Sequence, residues 1–342
     1  MIVFLINLHA TVEKHNQNLK MPQTQISVTG GTGHLGNCVI QYLLESDFLV
    51  TALFNNSIPE FEHPNLTWIK GDITDLDSIE LLIKKSTVII HCASLISVGN
   101  QDKTEVYRVN VKGTKTILKA CEHKKIRLIY ISSSAAVKET INDAIYNENR
   151  PYKSNKDFCY DWTKAQSEQL VLRDVNEKGL DAIIIRPTSI VGPPDHRPSY
   201  FGQTIKDMML NTMPITIKGG YNVVDIRDVA QTIINSIKLG ASGEVYLASG
   251  FYISFKQIAE ILNPHKKHYS IPIGLLIRSL PIIKLYQRIF PVKWLITRES
   301  LITVKRAPKI MDSSKAIKHI NHQIRPTSET INDLLDWFKK EL

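Results

Sequence analysis

Short apolar runs rich in β-branched residues alternate with stretches of helical spacing through the first half of the chain. The runs that predict buried strands occupy residues 24–30, 48–54, 66–72, 87–94 and 126–134. Between them, segments such as 36–46 and 76–86 repeat apolar residues at the spacing of a helix. Buried strands separated by helices predict βαβ units and a parallel sheet covered on both faces. Right-handed crossovers then give a doubly wound α/β fold.

A glycine-rich turn lies between the first predicted strand and the first predicted helix, in the stretch SVTGGTGHLGN at 27–37. Gly30 permits a tight turn, Gly33 lets a pyrophosphate approach the backbone, and Gly36 allows close contact between helix and sheet. The helix that follows directs unpaired N–H groups at the phosphates. The spacing is GxxGxxG rather than GxGxxG, but its position predicts a nucleotide site; a purely structural turn is the alternative.

The alternation is lost after residue 193 and returns as strand, helix and strand over 221–239 and 243–249. Asp228 lies where that helix opens, so we expect it to cap the helix N-terminus. The apolar start at 1–10 is too short to span a bilayer and lacks the basic lead of a signal peptide. We therefore expect an N-terminal extension outside the fold at 1–22, a doubly wound dinucleotide-binding domain at 23–186 with 221–249, and a smaller, mostly helical substrate-binding cap at 187–220 with 250–342.

The composition is that of an ordinary globular protein, with 342 residues, 43% hydrophobic and 22% charged. The four cysteines, Cys38, Cys92, Cys121 and Cys159, have neither metal-ligand nor CxxC spacing, so we expect buried reduced thiols, a cytoplasmic location and no metal site. The net charge of +9 raises the question of nucleic-acid binding. Because no zinc, helix-turn-helix or RNA-binding signature accompanies the charge, we do not expect nucleic acid as a partner.

Part of the positive charge lies in one segment near the C-terminus. Residues 261–298 contain no Asp or Glu, but they include Lys266, Lys267, Arg278, Lys284, Arg288, Lys293 and Arg298 between apolar runs. One interpretation is a helical cap whose apolar faces form a substrate pocket. The other is a basic amphipathic surface that contacts anionic lipid, which would associate the protein with a membrane. Either interpretation favours an apolar, lipid-like substrate.

Tyr160 and Lys164 are four residues apart in a segment of helical pattern, which places both on one helix face. A neighbouring ammonium should lower the tyrosine pKa from about 10 and make the phenol a proton donor and acceptor. Ser132, Ser133 and Ser134 end the strand before, at the edge of the sheet where open α/β proteins bind ligands. A Tyr–Lys pair at this spacing usually lies on a solvated helix surface, and serines at a strand end are usually caps. Only the order of these features along the chain indicates a catalytic set.

Several motifs occur together from Gln23 onward: TGGTGHLG, GDITD (71–75), VIIHCAS, VNVKGT (109–114), SSS, YDWTK and IIIRPTSIVGP (183–193). With these motifs the chain resembles the extended short-chain dehydrogenases/reductases of the NAD-dependent epimerase/dehydratase superfamily. Within them it is most similar to the dihydroflavonol-reductase-like and 3β-hydroxysteroid-dehydrogenase-like branch. The resemblance implies a Rossmann fold, NAD or NADP as cofactor, and an oxidoreductase acting on CH–OH groups of a small-molecule secondary alcohol or ketone. A homodimer is left open.

The resemblance also implies roles for single residues. Tyr160 would be the general acid/base, and Lys164 would hold the nicotinamide ribose. Ser133, with Ser134 as the alternative, would bind the substrate oxygen. The residues expected to contact the cofactor are Gly30, Gly33, His34, Leu35, Gly36, Asn55, Asp72, Ile73, Cys92, Ala93, Ser94, Tyr160, Lys164, Pro187, Thr188, Ser189 and Ile190.

Four positions depart from the pattern of the resemblance. Asn55 stands where NADP-using relatives carry arginine, and no Asp or Glu follows until Glu60, so the choice between NAD and NADP stays open. His34 replaces a bulky apolar residue; it either touches the phosphates or is an exposed loop histidine. Ser134 and Ala135 replace the Asp–Glu pair of sugar-nucleotide dehydratases, which argues against dehydration. A sugar-nucleotide epimerase and a non-catalytic dinucleotide sensor stay open as alternatives.

Overall fold

The computed structural model describes residues 24–99, 101–140, 144–213, 216–290, 294 and 296–341. The expected N-terminal extension at 1–22 lies outside the described residues, as does Lys293.

Seven strands form one central sheet, and all of its strand pairs are parallel. The strands of the chain are β1 (Gln25–Thr29), β2 (Leu49–Phe54), β3 (Leu66–Lys70), β4 (Val88–His91), β5 (Arg127–Ile131), β6 (Ala182–Pro187), β7 (Ser189–Val191), β8 (Thr216–Ile217), β9 (Gly220–Asp225), β10 (Val245–Ala248), β11 (Phe251–Ser254) and β12 (Ser270–Ile271). The order in the central sheet is β10-β6-β5-β4-β1-β2-β3. Because the order reverses between β1 and β4, a ligand crevice is expected at that point of the carboxyl edge. The predicted doubly wound fold is confirmed.

Helices cover both faces of this sheet. The described helices of the chain are α1 (His34–Glu45), α2 (Leu76–Leu82), α3 (Lys103–Tyr107), α4 (Gly113–Lys124), α5 (Cys159–Lys178), α6 (Tyr200–Met209), α7 (Ile226–Leu239), α8 (Phe255–Leu262), α9 (Ile273–Ile289), α10 (Arg298–Arg306), α11 (Ser314–Ile320) and α12 (Thr327–Glu341), of which α1, α2, α4, α5 and α7 pack on the central sheet. A π-helical turn, Arg108–Lys112, joins α3 to α4.

Successive strand residues point to opposite faces and so build two separate cores. Ile129 and Ile183 pack in one buried cluster with α1 and α7. Their neighbours Leu128 and Ile184 pack in the other cluster with α2, α4 and α5. This double burial explains why the strands are continuous apolar runs in the sequence.

A third buried cluster lies in a smaller, mostly helical part. It joins α6, α8, α9, α10 and α12 to a three-stranded sheet of order β11-β9-β7. The chain passes from the central sheet to this second sheet within one residue, Thr188, between β6 and β7. The predicted helical C-terminal region is confirmed, while the domain boundaries stay a prediction.

The expected helix cap at Asp228 is wrong. Strand β9 ends at Asp225, whose side chain accepts a hydrogen bond from the Arg227 N–H at 2.8 Å and caps α7. The cap of this helix therefore lies three residues earlier than the position expected from the sequence. Asp228 is buried in the first turn and accepts from the Arg325 N–H at 2.7 Å.

Asp225 also joins the last described helix to the β9–α7 junction. Its carboxylate accepts from the Thr330 hydroxyl at 2.8 Å and forms an ion pair with Arg227 at 2.6 Å. Arg227 in turn pairs with Asp333 at 2.7 Å. The Asp225 side chain is fully buried, so these bonds form in a desolvated joint between α7 and α12.

The four cysteines carry free thiols. Cys38 and Cys121 are buried, as expected from their apolar surroundings, and burial raises the pKa of each to about 12. Cys92 and Cys159 are only half-buried. The expectation of fully buried thiols is therefore wrong for these two, because Cys92 leaves β4 at the open edge of the sheet.

Candidate active site

The glycine turn forms a cradle of bare backbone at the start of α1. Gly30 has φ +70°, and a Cβ there would lie 2.7 Å from the backbone nitrogen of Ala93. A Cβ on Gly36 would lie 2.1 Å from the Gly30 carbonyl oxygen. Gly33 caps the helix with no side-chain hydrogen bond, so the first N–H groups are left for an anion. These features fit the pyrophosphate of a dinucleotide.

His34 is the first residue of α1, and its side chain points inward. Its Nε2 lies 3.0 Å from the Gly192 carbonyl oxygen and 3.6 Å from Asp195 Oδ1. The side chain is 13% exposed, so the alternative of an exposed loop histidine is wrong. The ring links the glycine turn to the loop that follows β7.

The three serines after β5 have three different partners. Ser132 Oγ donates to Glu168 Oε2 at 2.5 Å and faces the core. Ser133 Oγ accepts from the Ala135 N–H at 3.1 Å, and the Ser133 side chain acts to lower the pKa of the Tyr160 phenol. The Ser134 carbonyl oxygen accepts from the Tyr146 hydroxyl. The structure thus brings Ser133, rather than Ser134, to the phenol.

The expected lowering of the Tyr160 pKa is wrong for this state of the protein. Burial raises the pKa to about 12 and outweighs the opposing hydrogen bond from Ser133. Lys164, one turn further along α5, donates its Nζ proton to the Ile131 carbonyl oxygen at 2.7 Å. The phenol is therefore protonated at neutral pH.

Lys164 is itself perturbed. Burial lowers its pKa to about 8, against the opposing influence of Cys92 and Glu168. Nζ also lies 5.1 Å from the centre of the Tyr130 ring. A buried lysine whose pKa is lowered towards neutrality, here beside the buried Tyr130 ring, is typical of an active site.

A buried ion pair supports the Tyr160–Lys164 helix. Arg186 Nε donates to both oxygens of Glu168 at 3.0 Å, and neither side chain is more than 2% exposed. Glu168 also accepts from Ser132 and from the Tyr152 hydroxyl at 2.8 Å. This network, which the sequence did not reveal, ties α5 to the ends of β5 and β6. The one feature of the sequence that points to this network is the position of Glu168, four residues after Lys164 and so on the same face of the helix.

One cavity of about 570 Å³ brings most of the predicted residues together. Those that line it are Gly30, Gly33, His34, Leu35, Gly36, Cys92, Ser94, Ser133, Ser134, Tyr160, Lys164, Pro187, Thr188, Ser189 and Ile190. In the part of the chain that the structure describes, Thr188 Oγ1 is buried without a hydrogen-bond partner. A polar group of a bound cofactor would satisfy it, which is a second feature that fits a dinucleotide.

Four of the predicted cofactor residues lie outside the cavity wall. Ala93 packs its backbone directly against Gly30. Asn55 is exposed at the end of β2, and Ile73 packs against Gly113. Asp72 follows β3, where it accepts from the Thr74 N–H at 2.8 Å and pairs with Arg108 at 3.1 Å.

Two polar groups near the cavity were missed in the sequence. Asn110, in the π-turn, accepts from the Leu95 N–H at 2.7 Å and donates to Thr163 Oγ1 at 3.0 Å. Asn110 lies in the VNVKGT motif, for which the sequence alone predicted no role.

The second group lies in the cavity wall. Lys153 Nζ donates to Glu139 and Asp161 at 2.6 Å each. Burial is the main cause that raises the Asp161 pKa to about 6. No local spacing links these residues, so no sequence signal was available.

A family model described as the NAD dependent epimerase/dehydratase family matches residues 26–248. The chain belongs to this family. The predicted nicotinamide cofactor and the predicted superfamily are thereby confirmed.

Relatives within this epimerase/dehydratase family carry sterol and steroid names. "Sterol demethylase protein B" of Methylococcus capsulatus is 28% identical over 92% of this chain and 98% of its own length. The human "Sterol-4-alpha-carboxylate 3-dehydrogenase, decarboxylating" is 29% identical over 66% of this chain, and the match spans 59% of that enzyme. Among solved structures, "Crystal structure of gox2253" is 27% identical with TM-score 0.80, covering 93% of this chain and 99% of that one.

These matches confirm the class of the enzyme. Further relatives are named 3β-hydroxysteroid dehydrogenases, in agreement with the predicted branch. The protein is an NAD(P)-dependent oxidoreductase acting on CH–OH groups. The roles of the individual residues stay predictions.

Proposed function

We propose that the protein oxidises or reduces the ring hydroxyl or ketone of a sterol-like substrate, with Ser133, Tyr160 and Lys164 as its catalytic residues. The observation that carries the proposal is the position of the Ser133–Tyr160 pair in an apolar cavity that also contains the glycine turn. The sterol and steroid names of the relatives support the substrate class.

The cavity wall suits a rigid hydrocarbon. Its apolar side chains include Phe201, Met213, Ile217, Tyr221, Phe255, Leu301 and Val304. Such a wall contributes affinity through burial of apolar surface, while a few polar groups fix the orientation of the ligand. Ser133 and Tyr160 are the polar groups that would receive the oxygen of the substrate.

The charges of the cavity disfavour a sugar nucleotide. Its carboxylates are Glu139, Asp161, Asp207 and Glu299, and its ammonium groups are Lys153 and Lys164. Lys153 is already bonded to two of the carboxylates. A diphosphate would therefore meet a wall with more negative than positive groups, which is unfavourable.

Tyr160 keeps its proton at neutral pH and could donate it to a carbonyl oxygen during ketone reduction. The Ser133 hydroxyl would hold the same oxygen, and the developing charge would be stabilised by both groups. Lys164 lies on α5, and its Nζ reaches the end of β5. From there it would hold the ribose of the cofactor. When bound, the nicotinamide supplies or accepts the hydride.

We infer NAD rather than NADP as the preferred dinucleotide. Asn55 brings no charge to the end of β2. Nearby, Arg108 pairs with Asp72 and Glu105, and Arg197 lies 3.5 Å from Glu60, so their charges are compensated. Neither of these two arginines is therefore a free cation for a 2′-phosphate.

The test is turnover of a 3β-hydroxysterol with NAD and of the matching 3-ketone with NADH, followed by nicotinamide absorbance. Tyr160→Phe should lower kcat by about 10²–10⁴-fold, as expected for loss of a general acid. NADH affinity, measured by fluorescence titration, should be unchanged. Full activity in Tyr160→Phe would contradict the assignment.

The serine assignment has a matched pair of variants. Ser133→Ala should lower kcat/KM, whereas Ser134→Ala should leave it near the wild-type value because the Ser134 partner bond uses its carbonyl oxygen. Equal losses would refute the assignment of Ser133. Tightly retained NAD with turnover of a UDP-sugar, and none of any sterol, would favour an epimerase.

A further inference from the structure

Helix α9 has an apolar face that is exposed in the described chain. Ile273, Leu276 and Leu280 are buried on one side of the helix. Leu275, Ile282 and Ile289 are seven residues apart and lie on the other side, where they are 55%, 71% and 67% exposed. Further exposed apolar residues on the same helix and at its end are Leu285, Tyr286 and Phe290. Together these six residues form the exposed face of α9.

Exposed basic side chains occur on α9 and in the segment before it, and acidic residues are absent from this part of the chain. The described exposed cations from 261 to 290 are Lys266, Lys267, Arg278, Lys284 and Arg288. No Asp or Glu occurs between residues 261 and 298. Among the described residues, none of these five cations forms an ion pair.

Aromatic side chains close the C-terminal end of the face. The ring of Tyr286 lies 4.4 Å from that of Phe290 and stacks on Trp294 at 5.6 Å. Trp294 donates its indole N–H to the Thr212 carbonyl oxygen at 2.9 Å. Tyrosine and tryptophan combine an apolar body with a polar tip, which suits them to the boundary between lipid and water.

We propose that the exposed face of α9 docks on the surface of an anionic lipid bilayer. Apolar side chains would enter the boundary region, while the exposed cations of the same segment pair with lipid headgroups. In the described part of the chain, no helix has both the length and the apolarity to cross a bilayer, so this is docking in the interfacial plane. A second copy of the chain is a poorer occupant, because a symmetric contact would place these cations against one another.

The docking surface lies next to the wall of the cavity. Helix α10 contacts α9 and contributes Leu301 and Val304 to the cavity. Leu276 and Leu280 pack in the same buried cluster as Val304. Docking through α9 would therefore bring the cavity to the source of an apolar substrate; this last step rests on the proposed function, whereas the docking itself does not.

Flotation of the full chain with vesicles tests the apolar part. Wild-type protein should float with phosphatidylcholine vesicles containing phosphatidylserine and stay at the bottom with phosphatidylcholine alone. The double variant Ile282→Ser/Ile289→Ser should lose flotation. Its control is Leu81→Ser/Leu239→Ser, which removes two leucines, each 55% exposed, from α2 and α7. This control should float as wild type.

A charge variant tests the second part. Arg278→Glu/Arg288→Glu should lower the partition coefficient about tenfold or more, since each cation near an anionic surface contributes to binding. Lys115→Glu/Lys119→Glu makes the same change of net charge on an exposed side of α4 and should have little effect. Raising sodium chloride from about 0.05 to about 0.5 M should release the wild type by screening.

Four outcomes would overturn the proposal: wild-type protein that stays at the bottom at low salt, equal binding to neutral vesicles, α9 variants that float as wild type, or a wild-type dimer that the α9 variants abolish without any vesicle binding. Circular dichroism and thermal midpoints of each variant establish that it is folded. None of these measurements uses turnover, so they succeed or fail independently of the proposed reaction.

Discussion

Burial, rather than the neighbouring ammonium, sets the protonation of Tyr160. The phenol keeps its proton well above neutral pH, and Lys164 reaches a main-chain oxygen instead. A buried acid of this kind is ready to protonate a carbonyl. The residue that titrates within the working range is Lys164, whose pKa is about 8.

The activity should therefore fall on the alkaline side as Lys164 loses its charge. We expect kcat/KM for ketone reduction to be constant below the Lys164 pKa and to decline above about pH 8. Glu168 raises the Lys164 pKa, so Glu168→Gln should move this decline to lower pH. The measurement is the pH profile of kcat/KM, which reports the free enzyme.

The control for the pH shift is Glu177→Gln, on the exposed side of the same helix. It should leave the profile in place. A Glu168→Gln profile that coincides with wild type would show that Lys164 is not the titrating group.

Cofactor choice should respond to Asn55. Asn55→Arg adds a cation at the end of β2, so it should tighten NADPH relative to NADH, because guanidinium pairs well with phosphate. The ratio of the two dissociation constants, from fluorescence titration, checks this. Asn56→Arg is the neighbouring control, and an unchanged ratio in Asn55→Arg would remove residue 55 from the site.

The sequence predicted those candidate active-site residues that have a local spacing signal. Tyr160 and Lys164 are four residues apart on one helix, and the serines end a strand. Glu139, Lys153 and Asp161 meet through packing that no local pattern encodes. The pKa of Tyr160 was missed for the same reason, since burial depends on the whole fold.

At the scale of elements, the glycine turn is the most constrained segment. Gly36→Ala places a methyl group on the Gly30 carbonyl oxygen, so it should cost about 1–3 kcal/mol of stability through overpacking. NAD affinity should fall as well, because the turn that holds the phosphates must shift. Thermal unfolding and NAD titration measure the two effects.

Gly274→Ala is the matched control. A Cβ there meets nothing within 4 Å, and the residue lies in the helix α9. The change should be neutral or slightly stabilising because alanine favours the helix. An effect of Gly36→Ala as small as that of Gly274→Ala would mean that the clash at Gly36 is relieved by a local shift.

The central strands were predicted to within a few residues because burial on both faces makes them continuous apolar runs. The start of α7 was misplaced since Asp225 and Asp228 are both good caps, and only the end of β9 decides between them. Strands β8 and β12 have two residues each and are defined by pairing with each other. Elements of that length leave no periodic signal.

At the scale of the whole molecule, the Asp225 joint connects α12 to the central part. Asp225→Ala leaves Arg227 partly uncompensated in a desolvated contact, which should destabilise the protein by about 3–5 kcal/mol. Denaturant unfolding measures the loss. Asp336→Ala removes an exposed carboxylate from the same helix and should give no measurable change, since its partner Lys339 is exposed too.

A small effect of Asp225→Ala would mean that the apolar cluster alone fixes α12. The sequence could not predict this joint, because Asp225 and Thr330 are 105 residues apart. The basic character of 261–298 was visible beforehand, but only the structure separates the buried side of α9 from its exposed face.

The passage from the central sheet to the second sheet at Thr188 has a mechanical consequence. Pro187 ends one sheet, Ser189 starts the other, and both line the cavity beside Tyr160. The chain crosses between the same two sheets a second time at Ser249 and Gly250, between β10 and β11. Two short covalent links therefore join the sheets, which restricts their relative movement where Pro187 and Ser189 face the cavity.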